Sequence, residues 1–381
     1  MKVGIILDTS LDPEDGVQQY VMGVGEWLRA HGHDVHYLVG QTEHRQLQNV
    51  HSLCKNITVR FNGNKTTIPL WVNRRKVRAF LAEQKFDVLH VQTPHHPFMA
   101  QRIITEAADS TAVIATFHIL PYNWLAKSAN KLLGYMLRPS LKRIDQMLAV
   151  SSSAKEFEEW SFDVPAKVSP NIFNYDKYTY AKPFNEYRDG KVNILFLGRL
   201  VERKGCKYLL EAISKLDRAT VPDFRVIICG KGELLAELQK FVRDNNLQDI
   251  VEFTGFVTDE DKPRYYASAD LSIFPSVSGE SFGIVLLEAM ASGNAAVYAG
   301  NNPGYATVME PKPAQLFDPK DTDGLAEIIK SNLLDEQQRR NAAAWGKTYT
   351  KRFDIEVVGP ELVAIYNEVI AKRTQTQDNT K

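Results

Sequence analysis

Residues 279–290 read Gly-Glu-Ser-Phe-Gly-Ile-Val-Leu-Leu-Glu-Ala-Met, and place two carboxylates, Glu280 and Glu288, eight positions apart around a small-residue turn. The preceding Asp270-Leu-Ser-Ile-Phe-Pro275 has the apolar run of a buried strand, so the element reads as strand, loop and helix. A helix opening at Ser281–Gly283 offers unpaired backbone N–H groups and a positive dipole end to an anion such as a diphosphate. Glu288, about two turns into that helix, is placed to accept from the hydroxyls of a sugar, and Glu280 in the loop to face its reacting end. The plainer alternative is an acidic loop residue followed by a solvated helical glutamate.

A second group of residues points the same way. Gly198-Arg-Leu-Val-Glu-Arg-Lys-Gly205 follows an apolar strand and sets Arg199 and Lys204 in a strand-to-helix loop beside two glycines. Two cations neutralise a diphosphate while glycine lets the backbone approach it. Electrostatic stabilisation of this kind is usually the largest catalytic contribution. Read alone, the loop is equally a solvated basic turn, and Arg203 is a weaker third cation. Gly230-Lys-Gly232-Glu233 is another strand-end turn, without P-loop spacing, which suits part of a nucleotide-base pocket. Asp259, in the loop after the strand at 251–256, can accept from a guanine N–H.

Glu280-x7-Glu288 in its Gly-Glu-Ser-Phe-Gly-Ile setting resembles the signature of the family 4 retaining glycosyltransferases of GT-B fold, over residues 1 to about 366. Within that family the chain is most similar to the bacterial phosphatidylinositol α-mannosyltransferases. The resemblance implies a retaining hexosyltransferase that moves a sugar from a nucleotide-sugar donor, first choice GDP-mannose, to a membrane lipid such as phosphatidylinositol. A UDP-sugar with diacylglycerol or a soluble acceptor is the runner-up, and a catalytically silent GT-B binding protein the alternative of another class. In the reading so reached, Glu280, His118, Arg199 and Lys204 are catalytic. Gly198, Arg199, Lys204, Gly16, Asp259, Ser281, Phe282, Gly283, Ile284 and Glu288 bind the donor. No metal and no cofactor are expected. Retention comes from the family alone, and a front-face and a covalent route both stay open.

The elements that must position these groups are those of parallel α/β sheets. Short apolar runs alternate with amphipathic stretches: 3–7, 35–39, 88–91, 113–117 and 147–150 in the first half; 193–197, 225–229, 251–253, 271–274 and 295–298 in the second. The fold class is α/β: two Rossmann-like, doubly wound domains facing across a cleft. The first covers residues 1–170, the second 191–356, with a Pro-containing linker at 171–190. The apolar period at Val358, Leu362, Ile365 and Val369 marks a helix at about 357–373, which the resemblance implies completes the first domain. The tail 374–381 is polar and reads as disordered.

On the acceptor side, Asp15-Gly-Val-Gln-Gln-Tyr20 opens a helix after the first strand. The family usually has Gly-Gly here; Asp15 replaces the first glycine, Gly16 remains, and Gln18 matches the mannosyltransferases. Ala115-Thr-Phe-His118 matches them residue for residue, which gives His118 a role against the transferred sugar. Asn62, in Phe61-Asn62-Gly63, resembles an acceptor-side loop. Ile172 stands where a family Pro-Asn-Gly motif has glycine.

Residues 55–85 hold eight Lys or Arg against one acid. If 72–81 is helical, Arg74, Arg75, Lys76 and Arg78 form a basic face suited to an anionic membrane surface, the alternative being an ordinary helix with a solvated side. The related mannosyltransferases dock through this region. A net charge of zero gives no reason to expect nucleic acid. Cys54, Cys206 and Cys229 read as reduced thiols. With no apolar run near ~20 residues, the expectation is a cytoplasmic protein at the inner face of the membrane. His31, His33 and His36 form an ordinary turn, Asp321-Thr-Asp323 a helix cap rather than a metal motif, and His95-His96 a loop near the ligand edge.

Overall fold

The computed structural model describes residues 1–12, 16–43, 47–61, 64–70, 72–121 and 124–378. The chain divides into two units, Met1–Ile172 with Ile355–Lys381, and Phe173–Asp354.

Along the first unit the described strands are β1 (Lys2–Leu7), β2 (Asp34–Val39), β3 (Val50–Ser52), β4 (Lys55–Phe61), β5 (Asn64–Leu70), β6 (Val88–Gln92), β7 (Ala112–Phe117), β8 (Gln146–Ala149) and β9 (Ala166–Val168). Seven of them make a parallel sheet in the order β3-β2-β1-β6-β7-β8-β9. β4 and β5 pair with each other as an antiparallel hairpin. Val3, Ile5, Ile6 and Leu7 are all buried, as expected when helices cover both faces of a parallel sheet. The helix Gly16–Ala30 turns Tyr20, Val21, Val24, Trp27 and Leu28 onto one face of that sheet. The C-terminal helix Ile355–Asp378 adds Val358, Leu362, Ile365, Tyr366 and Val369 to the same core. A Cβ on Gly359 would stand 2.8 Å from the Trp27 ring, so glycine there sets how closely the two helices cross. His90 lies within this core, joined to Tyr366 Oη and Thr116 Oγ1 at 2.7 Å each.

The second unit carries β10 (Val192–Leu197), β11 (Phe224–Cys229), β12 (Val251–Gly255), β13 (Leu271–Phe274), β14 (Ala296–Gly300) and β15 (Leu316–Phe317). They are parallel in the order β12-β11-β10-β13-β14-β15. Both units are Rossmann-like and doubly wound. In each the chain starts mid-sheet and winds outward both ways, so β1 lies between β2 and β6, and β10 between β11 and β13. The carboxyl ends of those central strands are the switch points at which open α/β sheets bind ligands.

Three expectations need correction. Residues 171–190 are not a loose connector: the helix Tyr175–Thr179 and a 3-10 turn at Asn185–Tyr187 bury Tyr175, Tyr178 and Tyr187 in the second unit. The C-terminal helix runs to Asp378, so most of the polar tail is helical rather than disordered. The basic helix is Arg74–Gln84, started by Asn73, whose side chain accepts from the N–H groups of Arg75 and Lys76. The hairpin before it went unread because its charges obscure the two-residue alternation of its apolar side chains.

Candidate active site

Of the residues expected on the donor side, Gly16 lies in the first unit and the rest in the second, where two loops come together at the switch point. The loop after β10 carries Gly198, Arg199, Arg203 and Lys204; the loop after β13 carries Ser276, Glu280 and Gly283. Two bonds strap the loops together, from Val277 N–H and Ser276 Oγ, both to the Arg203 carbonyl, at 2.8 and 3.0 Å. The approach needs glycine at 205, which has φ +70°, and a Cβ there would sit 2.0 Å from the Pro275 carbonyl oxygen.

Within this frame Glu280 is nearly enclosed. Its Oε1 accepts from Ser276 Oγ at 2.7 Å and faces Lys204 Nζ at 2.8 Å and Arg203 Nη1 at 2.9 Å. Burial raises the Glu280 carboxyl, but the charges of Lys204 and Arg203 outweigh it and hold the group below its ordinary value. Burial lowers the Lys204 ammonium; Glu280 opposes that, while Arg203 and Arg199 add to it. Two cations therefore converge on one carboxylate, and Arg199 is near enough to act on Lys204, a surplus of positive charge suited to a diphosphate. The sequence reading ranked Arg203 lowest of the three, because nothing in the spacing shows which side chains of a loop turn inward.

Gly283, at φ +131°, caps the helix Ile284–Ser292, one residue beyond the expected opening. Ser281, Gly283 and Ile284 thus stand at a helix start, where backbone N–H groups have no intrahelical partner. The Phe282 ring packs edge-on against Phe353 at 5.7 Å and is buried, so only its backbone can meet a ligand.

Glu288 is not a solvated helical residue. It is 2% exposed, with Oε1 accepting from Tyr178 Oη and Lys262 Nζ at 2.7 Å each and Oε2 from Tyr266 Oη at 3.1 Å. By count a carboxylate with three bonds keeps one acceptor position. Asp259 bridges Lys177 at 3.1 Å and Lys262 at 3.2 Å. Burial works against the Lys262 ammonium, but Glu288 and Asp259 prevail and raise its value. Tyr178, Tyr266 and Lys262 were missed in the sequence. Only Lys262, three residues after Asp259, left a local signal.

In the first unit, Gln18 is buried, its amide donating to the Ser10 carbonyl at 3.2 Å and to Thr9 Oγ1 at 3.3 Å. His118 Nε2 donates to Gln92 Oε1 at 2.7 Å, beneath the edge of Tyr20 at 5.0 Å. Burial lowers His118 to about 3, so the ring is neutral at physiological pH. Gly16 begins the helix Gly16–Ala30. Asp15 and Asn62 lie outside the described residues.

The ends of β1 and β6 and the loops after them add Asp8, Gln92 and Thr93, which the sequence did not single out, and His95, read there only as part of a loop near the ligand edge. Asp8 Oδ2, Gln92 Nε2, Thr93 Oγ1 and His95 Nδ1 are buried without hydrogen-bond partners, and Thr93 has φ +62°, a genuine outlier for a β-branched residue. Buried polar atoms are ordinarily satisfied, so this concentration at a switch point suits a polar ligand.

Burial pushes the Asp8 carboxyl up to about 8, against the pull of the Ala100 N–H. The folded chain then keeps a proton that the unfolded chain releases near 3.8, so stability falls as pH rises from about 4 to 8. The Asp8→Asn variant is expected to melt above the parent at pH 8 and level with it near pH 4. The same Tm difference at both pH values would refute the buried neutral carboxyl.

Other signals resolve structurally. Asp321 caps the helix Thr322–Leu334 by accepting from Gly324 N–H at 2.9 Å. Among the described residues, no group of three or more His, Cys, Asp or Glu is placed to hold a metal ion. A groove of about 840 Å³ in the second unit is lined by Val192, Asn193 and Asp270, at the amino ends of β10 and β13 and so at the wrong edge for this chemistry.

Comparison with known proteins gives the family and the fold. The profile of the group 1 glycosyl transferases matches residues 180–349, and that of Glycosyltransferase Family 4 matches residues 15–176. The phosphatidyl-myo-inositol mannosyltransferase of Mycolicibacterium smegmatis is 32% identical over 373 residues, covering 97% of this chain and 94% of that protein. The protein of the same description from Mycobacterium tuberculosis is 30% identical over 389 residues, 99% of each. Among solved structures, a glycosyltransferase from Rickettsia africae superposes with a TM-score of 0.76 at 17% identity, over 97% of this chain and 98% of that one. HepE of Anabaena, solved with UDP and glucose, has a TM-score of 0.73 at 17% identity, over 97% of this chain and all of that one. At such identity the structures establish the GT-B fold alone.

Proposed function

The chain belongs to the group 1, family 4 glycosyltransferases and is a hexosyltransferase, and from that premise we propose that it moves mannose from GDP-mannose to a phosphatidylinositol-type lipid with retention at the anomeric carbon. The observation that carries this reading is near-full-length identity of 30–32% with phosphatidyl-myo-inositol mannosyltransferases.

The second unit holds the donor. Arg199, Lys204 and Arg203 take the diphosphate, with Gly198 and the start of the helix at Ser281–Ile284 giving backbone access. The incoming diphosphate replaces Glu280 as partner of the cations, which frees that carboxylate for the sugar hydroxyls and the oxocarbenium-like charge that develops as the bond to the diphosphate breaks. Glu288 takes a ribose hydroxyl at its remaining acceptor position, and Asp259 the base. In the first unit, Gln18, His118 and the unpartnered atoms of Asp8, Gln92, Thr93 and His95 offer donors and acceptors to a hydroxylated ring. A pure binding protein has no need of a three-cation diphosphate site, which favours an active enzyme over a silent one.

The test is release of nucleoside diphosphate from GDP-mannose, UDP-glucose and UDP-N-acetylglucosamine, with and without phosphatidylinositol liposomes. Release from GDP-mannose that rises with those liposomes is expected. Release from a UDP-sugar instead would overturn the donor, and release indifferent to the lipid would overturn the acceptor. Silence with all three would favour the binding-protein alternative.

A further inference from the structure

Membrane contact through the helix Arg74–Gln84 meets a physical difficulty. Arg74 and Arg78 both pair with Glu106, and their hydrogen bonds hold its carboxyl below the usual range. The helix buries Val77 and Leu81. It shows charge to solvent but little apolar surface to insert.

The helix Trp124–Leu141 is built the other way. It contains no acidic residue. Leu132, Tyr135 and Met136 are 64%, 71% and 66% exposed, and their three- and four-residue spacing makes one stripe. Trp160, on the neighbouring helix Ser152–Phe162, extends it at 41%. Large exposed apolar patches on soluble proteins mark interaction surfaces. These residues are not the core side of the helix, because Leu137 and Leu141 are buried on the other face. Nor is the helix loosely seated: a Cβ on Gly134 would lie 2.2 Å from the Ser161 carbonyl oxygen, so the two backbones touch. Beside this contact runs a groove of about 440 Å³, lined by Leu132, Tyr135, Arg138, Trp160 and Phe162 among others.

The stripe is bordered by cations. Lys127 and Lys131 stand over the Trp160 ring at 4.7 and 5.1 Å, and Lys131 also donates to the Trp160 carbonyl. Arg138 is matched by Asp163 at 2.9 Å, and Glu159 by Lys155 at 3.8 Å, so Lys127, Lys131 and the exposed Lys142 outnumber the one other exposed acid of the two helices, Glu156. Apolar side chains ringed by lysine are the composition of a surface that lies in a membrane interface.

We propose that the face formed by the helices Trp124–Leu141 and Ser152–Phe162 docks on an anionic lipid bilayer, with Leu132, Tyr135 and Met136 entering the interface and Lys127, Lys131 and Lys142 at the lipid phosphates. The proposal deepens the reading of a lipid acceptor and rests on it for its biological sense, but its test needs no sugar nucleotide.

The full chain is sedimented with phosphatidylglycerol vesicles and with phosphatidylcholine vesicles. Binding is expected to the former, weakened by salt. The variant Leu132→Ser/Tyr135→Ser/Met136→Ser is expected to lose at least about tenfold in vesicle partitioning, with circular dichroism and GDP affinity unchanged. Arg75→Glu/Lys76→Glu is expected to lose less. Undiminished binding of the triple variant overturns the proposal, as does a parent that binds neither vesicle. A parent dimer in sedimentation velocity that the triple variant dissolves also overturns it, by assigning the face to a second copy of the chain. Since diphosphate release is measured separately, failure here leaves the lipid-acceptor reading to its own assay.

Discussion

Replacing Glu280 by alanine is expected to lower kcat by about a thousandfold or more, roughly 4 kcal/mol of transition-state stabilisation, while the affinity for GDP holds or improves. The two effects have one origin. Glu280 is the shared partner of Lys204 and Arg203, at 2.8 and 2.9 Å. Without it the cations keep their full charge for the diphosphate, so ground-state nucleotide binding gains, but the negative group that meets the sugar is gone. Glu280→Gln keeps the size and a hydrogen bond from Ser276 and removes only the charge. If it falls with alanine, charge is what the reaction uses. Calorimetry with GDP and diphosphate release from the donor give the two numbers. Turnover that survives within about tenfold, near 1.4 kcal/mol, would remove Glu280 from the reacting centre.

The second large effect is expected on stability, at Glu288. Removing one member of a buried ion pair typically costs 3–5 kcal/mol, because the other charge remains buried without compensation. Glu288→Leu strands the Lys262 ammonium and takes a partner from Tyr178 and Tyr266. For a unit of this size that corresponds to a fall in Tm of roughly 6–20 °C. Glu288→Leu/Lys262→Met is expected to recover most of the loss, since an apolar pair of similar volume removes the stranded charge. Both are read from thermal melts without ligand. A single variant that moves Tm by less than about 2 °C would mean the carboxylate carries no structural load and serves the ligand alone. The contrast with Glu280 is instructive. Glu280 balances two cations at the carboxyl edge of the sheet, whereas Glu288, eight residues on, anchors the helix Ile284–Ser292 to the segment at 175–179 and to the helix Lys262–Ser268.

Much of this was legible before any coordinates. The alternation of apolar runs with amphipathic stretches located ten of the strands, because a strand buried on both faces has to be continuously apolar. Gly198, Arg199, Lys204, Glu280 and Gly283 were legible for a related reason. Loops that bring backbone and charge to a diphosphate need glycine and cations at short, local separations, and local separations survive in a linear text. The Asp321 cap was legible on the same ground.

What could not be read lies at long sequence separation or in the direction a side chain takes. Tyr178 reaches Glu288 across 110 positions, and no periodicity marks a tyrosine in an apparent linker as the partner of a buried carboxylate. Arg203 and Lys204 are neighbours in a loop, and only the folded turn decides that both face Glu280. Arg74 and Arg78 read as a free basic face until Glu106 was brought beneath them. The fold class and the family could be read from the chain alone, as could the loops in which glycine and cations lie close together, since these depend on composition and local spacing. Which carboxylate meets Arg203 and Lys204 and which is buried against Lys262 and two tyrosines, and which helix offers apolar surface to solvent, follow only from the folded chain. Those are matters of burial and partner choice, set by contacts between segments distant in the chain.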